Sequence, residues 1–196
     1  GLAGIINETL DRSILKRVLT DQYMEAGQSI TEATSTALVQ LGFYGANYKI
    51  TMFLAMFIQA FRYAAEPFFF NQEKEKNAKN VIAKVMTYFV IVATVIFLGL
   101  DLFLPILKYF TPNEVFWTGL KIVPILLLAN VFLGIFVNLS IWYKLSSKTN
   151  YGAYISIMGA TITIVLNYLF IPTYGYVASA WATLVCYASM MIASYF

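Results

Sequence analysis

The chain has 196 residues, 60% of them in the apolar set AVILMFWYC and only 12% charged, with a formal net charge of +3 and a mean hydropathy of +0.70. A soluble globular domain carries about 25% charged residues, so this composition excludes the ordinary soluble classes and points to a membrane-embedded chain. With no His and a single Cys, Cys186, internal disulfides, cysteine metal clusters and histidine acid–base chemistry are excluded as well.

In chain order, Gly1-Leu-Ala-Gly-Ile-Ile6 is too short for a signal peptide and lacks its basic lead. It reads as the tail of a span whose start is missing, and the apolar ending at Phe196 reads as the edge of an excised piece. A polar stretch over 11–36 follows as a connection. Five runs then reach the roughly 20 apolar residues that cross about 30 Å of hydrocarbon: 37–61, 85–107, 121–143, 151–171 and 176–196. The run Val90-Ile-Val-Ala-Thr-Val-Ile-Phe-Leu-Gly-Leu100 is continuous, without the in–out alternation of a membrane barrel strand. The expected class is all-α: a polytopic transmembrane helix bundle in contact with membrane lipids.

Connections 71–84 and 144–150 carry Lys74, Lys76, Lys79, Lys84, Lys144 and Lys148, against Arg12, Lys16, Arg17 and Lys108 on the other set. Lysine and arginine gather on the cytoplasmic side, which places 71–84 and 144–150 inside. The charges read as orientation signals, with no surface suited to nucleic acid. Thr111-Pro112-Asn113 and Ile171-Pro172-Thr-Tyr-Gly175 are turn chemistry, and Tyr109, Trp117, Trp142, Tyr143, Tyr174 and Tyr176 lie near span ends as interfacial aromatics. Gly152, Ser156 and Ala160 form a small-residue stripe for close helix approach.

The span 37–61 and its continuation hold the most polar face. At about 100° per residue, Tyr44, Tyr48, Thr51, Gln59 and Glu66 all fall within about 60° of Arg62, opposite Ile50, Phe53, Leu54, Phe57 and Phe61. Ionisable groups inside a bilayer usually face a bundle interior or a water-filled cavity, so Arg62 and Glu66, one turn apart, read as a cavity pair or as an anchor at the cytoplasmic end. Lys49 lies about 140° from Arg62 on an unkinked helix and is a second candidate contact. Asn130, Asn138 and Asn167 are expected to bond neighbouring helices. Asp11 and Arg12 either pair with neighbours across a cavity or mark the membrane edge.

Two strings carry a family resemblance. Asp11-Arg12-Ser-Ile-Leu15 with Gly42-Phe-Tyr44-Gly-Ala-Asn-Tyr-Lys49 resembles the Asp-Arg and Gly-x-Tyr-x-x-Ala-x-Lys pattern of the polysaccharide-biosynthesis flippases, relatives of the multidrug and lipid-linked precursor exporters. Asn167-Tyr-Leu-Phe-Ile-Pro172-Thr-Tyr-Gly175-Tyr-Val-Ala-Ser-Ala180-Trp-Ala-Thr183 is similar to their Asn…Ile-Pro-x-x-Gly-x-x-Gly-Ala-Ala-x-Ala-Thr hairpin. Ala178, Ser179 and Trp181 depart from that pattern, as does Asn47 from the first. The resemblance implies part of the second half of a twelve-to-fourteen-helix, two-lobed exporter of the bacterial inner membrane. It implies a transporter rather than an enzyme, moving undecaprenyl-pyrophosphate-linked oligosaccharide by alternating access for cell-surface polysaccharide, lipopolysaccharide included. No cofactor is implied, although an Na+ or H+ gradient is a candidate driving force, and a polysaccharide polymerase or other glycan-assembly protein is a candidate partner.

On that reading Arg62, Lys49 and Arg12 are the candidates to meet pyrophosphate, since guanidinium pairs with phosphate oxygens through planar bidentate bonds. Tyr44, Tyr48 and Gln59 line the path or bond sugar hydroxyls, and Glu66 holds Arg62 or takes part in coupling. The alternatives are a cation-coupled multidrug-type exporter and a non-transporting partner of a glycan-synthesis complex.

Overall fold

A computed structural model describes residues 2–72, 77–111, 113–145 and 149–195; within these, the side chains of 2–8, 10, 142, 144, 145 and 149 are left aside. The elements are α1 (Leu2–Glu25), α2 (Ile30–Gln72), α3 (Ala78–Leu102), a short α4 (Leu104–Leu107), 3-10 segments Lys108–Phe110 and Glu114–Ile122, α5 (Val123–Leu145), α6 (Thr149–Tyr174) and α7 (Tyr176–Tyr195). No strand occurs among the described residues, and the fold is the expected all-α membrane bundle. Four helical stretches among these residues are long and apolar enough to cross a membrane: Ala78–Leu102, Glu114–Ile141, Asn150–Tyr174 and Tyr176–Tyr195. The run 37–61 lies inside the 43-residue α2, where Gln40, Asn47, Lys49 and Gln59 dilute the apolar content.

Two connections differ from expectation. The polar stretch from residue 11 is helical to Glu25, because Asp11, Leu15, Val18 and Leu19 form a buried stripe at helical spacing while Lys16 and Arg17 stay exposed. The chain turns at Gly27, whose φ of 92° is open to glycine without a side-chain clash. Ser29 then starts α2: the Ser29 backbone N–H and hydroxyl donate to the Glu32 carboxylate at 3.2 and 2.8 Å, and the Glu32 N–H donates back to the Ser29 hydroxyl oxygen at 3.4 Å, a reciprocal cap. The expected loop 108–120 is also largely wound, and its nine-residue 3-10 segment leads straight into α5. Pro112, Lys74, Lys76 and Lys148, and the side chains of Trp142 and Lys144, lie outside the described residues.

Helix α5 is central. Its Leu126 packs with Leu15, Tyr44 and Ile171, its Leu127 and Val131 with Leu54 and Phe89, and its Phe136 with Cys186 and Met190. Helix α3 lies at the edge, burying only Phe89 and Ala93 while Val95 and Leu102 are 63% and 75% exposed, as suits a lipid-facing helix. Asn130 and Asn138 do not reach a neighbour as expected; each amide donates to the carbonyl four residues back, Leu126 and Gly134, a local bond to its own backbone that competes with partners on other helices.

Helices α6 and α7 form a hairpin. The turn closes at Gly175, where φ is +58° and the N–H donates to Ile171 O at 2.8 Å. The face of α6 that enters the bundle is Ile155, Gly159, Thr163, Asn167 and Ile171, strictly four apart and all buried. The stripe Gly152, Ser156, Ala160 lies one residue out of register with it and is only partly covered.

Candidate functional site

The buried face of α6 brings Asn167 against α1 and α7, and there lies the most buried carboxylate among the described residues. Asp11 is 1% exposed; its Oδ1 accepts from Asn167 Nδ2 at 2.9 Å and its Oδ2 from the Thr183 hydroxyl at 2.7 Å. Asn167 Oδ1 in turn accepts from the Ser179 hydroxyl at 2.8 Å. The Thr183 hydroxyl has the Ser179 carbonyl oxygen as an alternative acceptor, 2.8 Å away. Ser179 and Thr183 are one turn apart on the buried face of α7, so one carboxylate ties together three helices. Tyr44 of α2 and Tyr187 of α7 are buried as well.

Arg12, next along α1, turns its guanidinium over the Tyr48 ring at 5.2 Å from the centroid, and Tyr48 stacks on Tyr44 at 6.0 Å. The local order is therefore carboxylate, hydroxyls and amide at the centre, then two stacked phenols, then a cation. Such a set can accept a proton or surround a small hard cation with oxygen. No group of three or more His, Cys, Asp or Glu lies together among the described residues.

The other candidates lie elsewhere. Lys49 is exposed, about 100° round α2 from Tyr48 and about 140° from Tyr44. Arg62 Nε is 3.8 Å from Glu66 Oε2, with side chains 23% and 26% exposed; fourteen residues separate Arg62 from Tyr48, or about 21 Å along the helix. Gln59 Oε1 is buried near that end with no hydrogen-bond donor among the described residues. The polar face of α2 thus resolves into two groups at different depths: Tyr44 and Tyr48 joined to Arg12, and Gln59, Arg62 and Glu66.

Sequence reasoning named Ser179 and Thr183 only as part of the hairpin string and did not name Tyr187, whereas Asn167 does bond neighbouring helices as expected, through Asp11 of α1 and Ser179 of α7. The available signal was the spacing of Ser179 and Thr183, one helical turn apart on the hairpin that carries Asn167. What brings them to Asp11 is the register of α6 and α7, which is set by packing. Gly159 allows that approach: a Cβ there would sit 2.5 Å from Met190 Sδ and 3.1 Å from Cys186 Sγ.

Compared with known proteins, residues 33–169 match the family model MatE. The match runs from α2 to the Asn167 region of α6, and so covers Tyr44, Tyr48, Lys49, Gln59, Arg62 and Glu66. No curated protein and no solved structure matches the chain. A match over well more than half the length, on a bundle of membrane-spanning helices, places the chain in the MatE family of membrane transporters, within the superfamily of multidrug, oligosaccharidyl-lipid and polysaccharide exporters.

Proposed function

We propose that the protein to which this chain belongs is a flippase of the bacterial inner membrane that translocates pyrophosphate-linked oligosaccharide on a polyprenyl carrier, with connections 71–84 and 144–150 on the cytoplasmic side. The observation that carries the transport part of this reading is Asp11: a carboxylate held by Asn167 and Thr183 inside a membrane bundle, where ionisable groups are costly and tend to serve function. Asp11 is the group through which an Na+ or H+ gradient acts, since gain or loss of one charge there changes what holds α1, α6 and α7 together. Transport follows alternating access, with the bundle rocking about the site.

The choice of substrate rests on the resemblance of the Asp11-Arg12 and Asn167–Thr183 strings to the polysaccharide flippases, and on cation and phenol side by side at Arg12 and Tyr48. Arg12 meets pyrophosphate oxygens, Tyr44 and Tyr48 line the path, Lys49 is a further cation at the depth of Tyr48, and Gln59, Arg62 and Glu66 line the path at another depth. A polysaccharide polymerase or another glycan-assembly protein is the expected partner. The buried carboxylate also favours a second reading, a cation-coupled exporter of small molecules.

Deletion of the full gene in its host separates the two. Loss of surface glycan with lipid-linked oligosaccharide accumulating on the cytoplasmic face supports the flippase. Intact glycan with raised sensitivity to amphipathic drugs supports the exporter and overturns the flippase.

A further inference from the structure

The winding of Glu114–Ile122 has two causes, and they part at Pro124. Nine residues of 3-10 helix are unusual, since such runs seldom exceed about four and a stretch of them within a helix often marks a hinge. At the inner end the cause is local. Pro124, the second residue of α5, has no N–H to give Leu120 O, and its ring crowds that carbonyl in a continuous α-helix. The Val123 N–H takes Leu120 O instead, which closes the tighter turn. The 3-10 segment and α5 form one candidate membrane span, Glu114–Ile141, and the joint lies inside it.

Ahead of the joint, residues 114–123 contain no proline, and side chains of other helices hold the segment. Asn47 of α2 donates from Nδ2 to Phe116 O at 2.8 Å, and the Tyr176 hydroxyl of α7 donates to Thr118 O at 3.2 Å. Phe43 stands between, its ring 5.8 Å from those of both Phe116 and Tyr176. Gly119 permits so close a seat, because a Cβ there would fall on the Asn47 amide and 3.0 Å from Phe43 O. The seat is nevertheless weakly bonded. The Tyr176 bond is longer than the roughly 2.8 Å usual between oxygens. Asn47 is fully buried, yet its Oδ1 meets no donor among the described residues, and an unmet buried acceptor disfavours the seated form.

We propose that Glu114–Ile122 is a latched arm: it pivots at Pro124, is seated by Asn47 and Tyr176, and covers the seam between α2 and α7 until it is released. Nine residues at about 2.0 Å each make an arm of about 18 Å, so a change of about 20° in the bend carries its far end about 6 Å. Trp117 Nε1 donates to Lys108 O at 3.1 Å, so Lys108–Phe110 travels with it. The device is independent of what the protein transports.

Pulsed electron paramagnetic resonance reads the arm directly, on full-length protein freed of its native cysteines and reconstituted in bilayers. Spin labels go at Val115 on the arm and Tyr63 on α2, both exposed; Tyr63 with the exposed Val185 of α7 is the control pair. The parent is expected to show one main Val115–Tyr63 distance. Tyr176→Phe, which removes one hydroxyl, and Asn47→Ala should each add a second population several Å away, with the control pair unchanged. Pro124→Ala in the Tyr176→Phe background removes the joint and should return a single population. A single unshifted distance in both latch variants overturns the proposal, as does a shift shared by the control pair. Two populations that persist with Pro124→Ala overturn the pivot.

Discussion

Asp11 illustrates how one side chain sets the cost of its own removal. Asp11→Ala leaves the Asn167 amide buried without its acceptor, at about 1–3 kcal/mol, while the Thr183 hydroxyl keeps the Ser179 carbonyl oxygen; Asp11→Asn keeps the volume and one carbonyl acceptor and costs less. Thermal unfolding of the full-length protein in detergent is expected to rank them wild type, Asp11→Asn, Asp11→Ala. Equal midpoints for all three would mean the network contributes nothing to the fold. Gly159 gives an independent check on the packing that brings α6 to α7. Gly159→Val drives carbon into Met190 and Cys186 and is expected to destabilise by about 1–3 kcal/mol, as overpacked cores do. Met190→Ala makes room, so the double variant should recover part of the loss in a cycle of four proteins; strict additivity would contradict the contact.

At the scale of elements, the helices legible in the sequence are those with long apolar runs: α2 over 37–61, α3, α5, α6 and α7. Helix α1 was hidden because it carries Asp11, Arg12, Lys16 and Arg17 within seven residues, a density that suggests a loop until the buried stripe of Asp11, Leu15, Val18 and Leu19 is known. The 3-10 winding of Glu114–Ile122 was hidden too. It is held from outside, by Asn47 Nδ2 donating to Phe116 O at 2.8 Å and the Tyr176 hydroxyl donating to Thr118 O at 3.2 Å, and such donors are not visible in local propensity. The start of α2 was in principle readable from Ser29 and Glu32. Bonds from the Ser29 hydroxyl and N–H hold the Glu32 carboxyl below its ordinary value of 4.5. A lowered carboxylate contributes stability that is present above its unfolded value and is lost as pH falls through the folded one. Hydrogen exchange at the first turn of α2 should therefore quicken as pH drops below about 4.5, relative to the intrinsic rate, and Glu32→Gln should abolish that added pH dependence. An unchanged dependence in Glu32→Gln would assign it to another group.

For the whole molecule, the sequence conveyed a membrane transporter well, and some of its candidate residues come together. Arg12, Tyr44 and Tyr48 do meet, because residues four apart on α2 share the side that α1 covers. Arg62 and Glu66 share that face by angle yet lie about 21 Å or more from Tyr48 along the axis, a separation that a projection down the helix conceals. Two depths give distinct expectations. With Arg62 lining the path, Arg62→Ala is expected to lower surface glycan severalfold at equal protein level; a small effect would make the Arg62–Glu66 pair, loosely bonded and part exposed, an anchor of modest worth.

The central claim is that the buried Asp11 centre works in transport and is not only a structural tie. The measurement that tests it most directly is made in the native host with full-length Asp11→Asn, membrane levels matched by immunoblot, reading surface glycan and lipid-linked oligosaccharide together. Asp11→Asn is expected to abolish surface glycan while precursor accumulates on the cytoplasmic face, although the protein remains folded and abundant. Normal glycan at normal protein level would contradict the claim and reduce Asp11, Asn167 and Thr183 to a packing network.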